Sequence, residues 1–151
     1  MKLDKALEFC RNNICADYIW GGEGPGYDCS GFVRSMLRYC EFPDLPKYDF
    51  TARDIPAIFS KYAKPFNSIT PGSLVLFGSP ISHVVVCYRV TVVNGKSRPW
   101  YVGANGGSSR CKDLISASEF QAGVSTKTWG YRENDRNPTI YDLFSTFKDT
   151  K

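Results

Sequence analysis

The chain has 151 residues but a single histidine and no Cys-x-x-Cys pair, so the ligand spacing of the usual structural zinc sites is missing. It also lacks a basic run. The longest cluster, around Lys96 and Arg98, is interrupted by Ser97 and Pro99, and 19 basic against 15 acidic residues leave a surplus of only +4. Nothing here points to nucleic acid. Charged residues, at 23%, interrupt every apolar stretch before it could span a membrane. The opening decapeptide carries Lys2, Asp4, Lys5 and Glu8, which a secretory signal would not tolerate. Synthesis in a cytoplasm without a signal peptide is therefore expected, and thiols stay reduced there. Six cysteines are too few for a disulfide-stapled miniprotein, and no disulfides are expected. What is present is 42% hydrophobic and 15% aromatic residues, enough for one core. With no repeat and no linker, residues 1–151 are expected to form one domain.

Leu3, Ala6, Leu7, Cys10 and Ile14 recur at helical spacing, which predicts an amphipathic helix ending near Asn12 to Cys15. The next segment, Trp20 to Asp28, holds four glycines and a proline in nine residues and must be a loop. Phe32, Val33, Met36, Leu37 and Cys40 then share one face of a second helix starting near Cys29. Pro43 and Pro46 stop it, and a short third helix is predicted between Thr51 and Tyr62. Beyond the Pro71-Gly72 turn the pattern changes to strands: Leu74–Phe77, the valine-rich run from Ile81 to Val93, a return strand at Trp100–Ala104, and a last strand from Thr126 to Arg132. Asn94-Gly95 marks a hairpin. A helical stretch is predicted from Asp113 to Gln121. Helices first and an antiparallel meander second is an α+β arrangement.

A reactive cysteine needs a lowered pKa, and the unpaired N–H groups at a helix start favour thiolate. Cys29 alone has that setting, after the glycine-rich loop and at the head of the second helix. A thiolate nucleophile works with an imidazole that accepts its proton and returns it to the leaving amine. His83 is the only candidate, although a strand histidine is more often a core or surface residue. Asp28 is placed either to cap the helix or to bind a substrate amine.

Five strings occur in order: Tyr18-Ile-Trp20-Gly-Gly22, Tyr27-Asp-Cys-Ser-Gly-Phe-Val33, Leu45-Pro-Lys47, Pro71-Gly-Ser-Leu-Val-Leu-Phe77 and Ser82-His-Val84. In them the chain resembles the NlpC-type papain-like cell-wall cysteine peptidases, over about residues 1–132. The resemblance implies a papain-like α+β fold in which N-terminal helices pack on an antiparallel sheet and the nucleophile sits at a helix N-terminus. It implies Cys29 as nucleophile, His83 as general base and acid, and Tyr18 beside the oxyanion, where plain aromatic packing is the alternative. The backbone N–H of Cys29 is the other oxyanion donor. Asp28 and Ser30 resemble the pair that contacts a free stem-peptide amine, with Ser30 as an ordinary first-turn residue the competing reading. Trp20, in the same block as Tyr18, joins them as a substrate-binding candidate. No metal or organic cofactor is implied. The expected partner is a peptidoglycan stem peptide, cut beside D-glutamate and diaminopimelate, and phage tail proteins are a further expected partner. The Gly103-Ala-Asn-Gly-Gly107 variant and the bare catalytic domain resemble phage-encoded members, tail-associated or lytic, acting at the bacterial wall. An amidase or acyltransferase of the same Cys-His architecture, or an inactive virion module, are the alternatives. Loops 43–51 and 108–124 are expected to set substrate preference.

One position departs from the family pattern. Where the family places a polar residue to hold the imidazole, this chain has Gly103, and Asn105 lies two residues on. An asparagine can take that role, though Asn105-Gly106-Gly107 also reads as a turn. An unbroken two-residue Asn94-Gly95 hairpin would turn Asn105 away from the face of His83. The role therefore requires an odd loop or a one-residue bulge, expected between Asn94 and Pro99, with Asn105 or a nearby backbone carbonyl accepting from the imidazole.

Overall fold

The structure is a computed structural model and describes residues 2–16, 18–19, 27–105 and 122–145. Helix α1 (Lys2–Asn12) ends where Asn13 turns its side-chain amide back onto the carbonyl of Phe9, at 2.8 Å. Helix α2 (Cys29–Tyr39) begins at Asp28, whose carboxylate accepts the N–H of Gly31 at 2.7 Å and so satisfies one of the free donors of the first turn. Phe9 of α1 packs edge-on against Tyr27 and tilted against Phe32, with ring centroids 6.0 and 5.3 Å apart. The Tyr27 hydroxyl also donates to Asn13 at 3.0 Å, and Tyr27 pairs with Tyr18 in a parallel bridge. Tyr27, two residues ahead of Cys29, is thus pinned against the first helix. Truncating fully buried Phe32 to alanine would remove about 3–5 kcal/mol.

The strands that follow form one six-stranded antiparallel sheet in the order β1-β6-β2-β3-β4-β5. Its strands are β1 (Ala63–Pro65), β2 (Leu74–Phe77), β3 (His83–Val93), β4 (Lys96–Asn105), β5 (Gly123–Lys127) and β6 (Arg136–Tyr141). Leu74, Leu76, Val84, Val86, Val102 and Ala104 share the main core with α1 and α2. The alternate residues Val75, Phe77, Val85, Cys87 and Tyr101 build a second, smaller core on the outer face with Ile140. Both faces of the valine run are covered over Val84 to Cys87, as expected for part of its length, while Val92 and Val93 at the hairpin end are exposed.

Several boundaries differ from expectation. The predicted third helix is three short turns, Ala52–Asp54, α3 (Ile55–Ile58) and Ser60–Tyr62. Pro56 has no N–H to return to Ala52, which divides the run. The strand expected at Thr126–Arg132 begins earlier, at Gly123, because Gly123–Lys127 is the stretch that pairs with Tyr101–Asn105. Strands β1 and β6 were not anticipated. Pro138 argues against a strand, and it is accommodated where the pairing of β6 with β2 shifts register between Val75 and Phe77. The predicted helix at 113–121 lies outside the described residues, as does Cys111; Cys10, Cys15, Cys29, Cys40 and Cys87 are free thiols.

The β3–β4 hairpin decides the site. Asn94 and Gly95 both adopt positive φ, 52° and 76°, so the turn holds two residues and Val93 pairs with Lys96. The expected irregularity is not at the turn. It lies farther along β3, where the register shifts by one residue between Cys87 and Arg89, leaving Tyr88 as the extra residue. The bulge forms there because Tyr88 turns onto the main core and its hydroxyl accepts from Arg11 at 3.2 Å.

Candidate active site

Beyond the bulge the pairing of Val86 with Val102, continued to the strand ends, sets His83 across from Asn105 on the outer face. The two side chains meet: Nε2 of His83 lies 2.8 Å from Oδ1 of Asn105. Both hydrogens of the Asn105 amide are taken by Ser125, its carbonyl at 3.2 Å and its Oγ at 3.0 Å, which orients Oδ1 toward the imidazole. An amide oxygen only accepts, so Nε2 carries the proton and Nδ1 is the basic nitrogen.

Gly103 could not have served instead. A Cβ there would stand 2.9 Å from Cγ1 of Val85 and 3.3 Å from its Cα, so the strands leave no space for a side chain. The acceptor is supplied two residues farther along the same face.

Cys29 occupies the first position of α2, and the backbone N–H of Val84, the residue following His83, is near enough to its sulfur to favour the thiolate. Nucleophile candidate and imidazole are thus brought to the same end of β3, and each is only 8% exposed. Burial pushes the thiol pKa up; the N–H groups of Val84, Ser30 and Cys29 pull it down and the Asp28 carboxylate raises it further. The lowering expected from the helix start is present but does not win, because desolvation of a thiolate outweighs a few N–H dipoles. Burial also pushes His83 down to about 4, against the bond to Asn105, which raises it, with the Arg132 charge lowering it further. At neutral pH the resting pair is thiol and neutral imidazole.

The other expected site residues are placed as follows. Asp28 caps α2 with one carboxylate oxygen, the cap reading of the sequence. Ser30 is buried in the first turn, and Tyr18 is buried in the main core beside Tyr27. Trp20 lies outside the described residues, as does most of loop 108–124. Loop 43–51 is tied to α2 by buried Arg34, whose guanidinium donates to the carbonyls of Tyr48 at 3.1 Å and Lys47 at 3.2 Å.

Tyr131 was missed. Its ring stands edge-on to His83 with centroids 6.2 Å apart, and its hydroxyl donates to Oδ1 of Asn105 at 3.4 Å. It is close enough to Cys29 for a thiolate there to raise the phenol pKa, a smaller effect than burial. Phe77 packs 6.1 Å from the imidazole and 5.5 Å from the Tyr131 ring, so the three rings form one mutually packed cluster. The tyrosine is delivered by a tight turn in which Arg132 adopts the left-handed conformation (φ 45°) and pairs with Asp135 at 3.1 Å. A lone Gly-Tyr-Arg in a turn carries no local signal of this; only the docking of the turn onto the outer face reveals it.

A papain-like helix-and-sheet fold with cysteine, histidine and asparagine at one strand end directs the comparison with known proteins. The pattern of the NlpC/P60 family matches residues 16–129.

The chain belongs to the NlpC/P60 family.

It is a hydrolase of the cysteine peptidase type. Its fold is similar to that of the NlpC/p60 domain of the peptidoglycan hydrolase SagA, with a TM-score of 0.61 and 17% identity over 93% of this chain and 98% of that one. It is also similar to NlpC1 from Trichomonas vaginalis, with a TM-score of 0.58 and 18% identity over 93% of this chain and 44% of the other. No curated protein matches the sequence. At these identities the neighbours establish the papain-like α+β architecture, and the family assignment rests on the sequence pattern.

Proposed function

We propose that this NlpC/P60 protein hydrolyses an amide bond in the stem peptides of peptidoglycan, between D-glutamate and diaminopimelate. The observation that carries the reading is the Asn105-oriented imidazole at the end of β3, with the Cys29 thiol seated against the next residue of the same strand. In this reading Nδ1 of His83 takes the thiol proton as sulfur attacks the scissile carbonyl carbon. The charge that develops on the carbonyl oxygen is met by the N–H of Cys29 and the hydroxyl of Tyr18. The imidazolium returns the proton to the leaving amine as the C–N bond breaks, leaving an acyl-cysteine. Water, deprotonated by the same imidazole, then releases the carboxylate product and the thiol.

Because both partners are neutral at rest, the thiolate is made during attack rather than stored. The imidazolium is stabilised by Asn105, whose bond to Nε2–H strengthens once the ring is charged. Asp28 and Ser30 would contact the free amine of the stem peptide, with Asp28 still capping α2. Action at the bacterial wall as a phage tail component or lysin belongs to the same proposal and is supported by the Gly103-Ala-Asn-Gly-Gly107 variant, which resembles phage-encoded members.

The test is mass spectrometry of muropeptides after digestion of sacculi, with Cys29→Ala as control. New amino termini at diaminopimelate are expected with the unaltered protein and not with the variant. Release of intact stem peptides from the sugar would reassign the enzyme as an amidase, and unchanged muropeptides would overturn hydrolysis altogether.

A further inference from the structure

Away from the active site, the outer face of the sheet carries a cleft between the turn after β1, the end of the hairpin and the turn that delivers Tyr131. It has a volume of about 140 Å³ and adjoins a second of about 330 Å³, the two sharing Phe66, Lys96 and Ser97. Lys96, Arg98 and Arg136 line the smaller one with a single carboxylate, Glu133. Both guanidiniums sit over aromatic rings: Arg98 is 4.2 Å from the Trp129 centroid and Arg136 is 3.9 Å from that of Phe66. None of the three cations forms an ion pair among the described residues.

A second observation is independent of charge. Two buried side-chain atoms make no hydrogen bond among the described residues, Nε of Arg98 and the hydroxyl of Tyr101. The first belongs to the cleft lining, and the Tyr101 hydroxyl is close enough to Arg136 and Glu133 to feel both charges. Buried donors left unsatisfied are uncommon and point to a partner that is not part of the chain.

We propose that this cleft binds an anionic polymer whose charges are phosphodiesters and whose backbone carries no aromatic base, a polyol phosphate of the cell wall. Three cations against one acid, two of them held over aromatic rings, select an anion, and a guanidinium so held can offer two N–H groups to phosphate oxygens. The absence of bases follows from the same geometry. Arg98 and Arg136 each sit over one face of Trp129 and Phe66, taking ring surface on which a nucleobase would stack and steadying the cations instead. Such a site would hold the enzyme on its substrate layer without entering the chemistry. The inference takes its setting from the wall-hydrolase reading, and the two are measured separately.

The experiment is calorimetric titration of the full chain with poly(glycerol phosphate), alongside hydrolysis of soluble muropeptides. Binding is expected to weaken with salt, with a log–log slope of about −2 for three phosphate contacts. Arg98→Gln with Arg136→Gln should weaken binding by roughly tenfold or more and reduce the slope to about −0.7, with hydrolysis unchanged. Lys96→Glu, on an exposed side chain, is the second variant if the double one unfolds, and should also weaken binding. Equal affinity of the variants, no binding of poly(glycerol phosphate), or tighter binding of single-stranded DNA or of anionic phospholipid vesicles would overturn the proposal. Loss of hydrolysis with binding intact would count against the catalytic reading alone.

Discussion

Replacing Asn105 by alanine removes the acceptor of the imidazole N–H and leaves the backbone of β4 in place. Two effects can be worked out from the geometry. A buried donor that loses its partner costs about 1–3 kcal/mol of stability, and His83, at 8% exposure, has little solvent to replace the 2.8 Å bond. In catalysis only the difference between the neutral and charged ring matters. A hydrogen bond to a charged group is worth about 1.5–3 kcal/mol against about 0.5–1.5 for a neutral pair. The difference, about 1–1.5 kcal/mol, slows imidazolium formation roughly 5- to 12-fold. Loss of ring orientation and of the Nε2–H tautomer adds to this, for an expected fall in kcat of about 10- to 100-fold with KM little changed. The assay is steady-state hydrolysis of a soluble muropeptide, with thermal unfolding in parallel. A variant that loses stability but keeps kcat within twofold would show that the bond is merely structural and refute the positioning role.

Four further predictions rest on the same geometry. Since His83 is pushed down to about 4 and the Cys29 thiol is raised, kcat/KM should stay level from about pH 5 to above pH 8; an acid limb at pH 6 or higher would contradict an imidazole kept neutral by burial. The same depression makes a stability statement: above the ordinary histidine pKa it contributes nothing, and as pH falls from about 6.5 to 4 only the unfolded chain takes up the proton, removing roughly 3 kcal/mol. Thermal midpoints of His83→Gln should lack this loss when compared with the parent across that range. Tyr131→Phe should lower kcat only about 2- to 5-fold, because one donor to Asn105 is lost, whereas Tyr131→Ala should open the imidazole to water and move the acid limb upward; identical pH profiles for both would remove Tyr131 from the positioning set. Gly103→Ala forces a Cβ to 2.9 Å from Val85 Cγ1, and should cost about 1–3 kcal/mol by overpacking, read as a lower denaturant midpoint; an unchanged midpoint would show that the strands part easily.

Much of the local structure was legible because its causes are local. Asp28 ahead of an apolar-periodic run is enough to start α2 and to put Cys29 at its head, and Asn94-Gly95 is enough to turn the chain with two positive φ angles. The Tyr-Asp-Cys-Ser-Gly-Phe-Val and Ser-His-Val strings identified the two central site candidates for the same reason: the residues that set their backbone lie beside them in sequence. The part played by Asn105 was foreseen as a conditional, requiring one unpaired residue between the strands. Its location was not, since a bulge at Tyr88 depends on a contact with Arg11 and the main core, some eighty positions away in the chain. Tyr131 and Ser125, which hold Asn105 from two directions, carry no local mark at all.

The thiol shows the division most plainly. A helix start is written in the sequence, and with it the N–H groups that favour thiolate; how deeply the sulfur sinks between α2 and β3 is a property of packing. Desolvation acts through everything within several ångströms, whatever its position in the chain, and here it exceeds the local dipoles and leaves both Cys29 and His83 neutral at rest. The sequence by itself determined which groups could react. Tertiary structure alone decided their faces, their protonation and their supports, because register and burial are settled by pairings between distant segments.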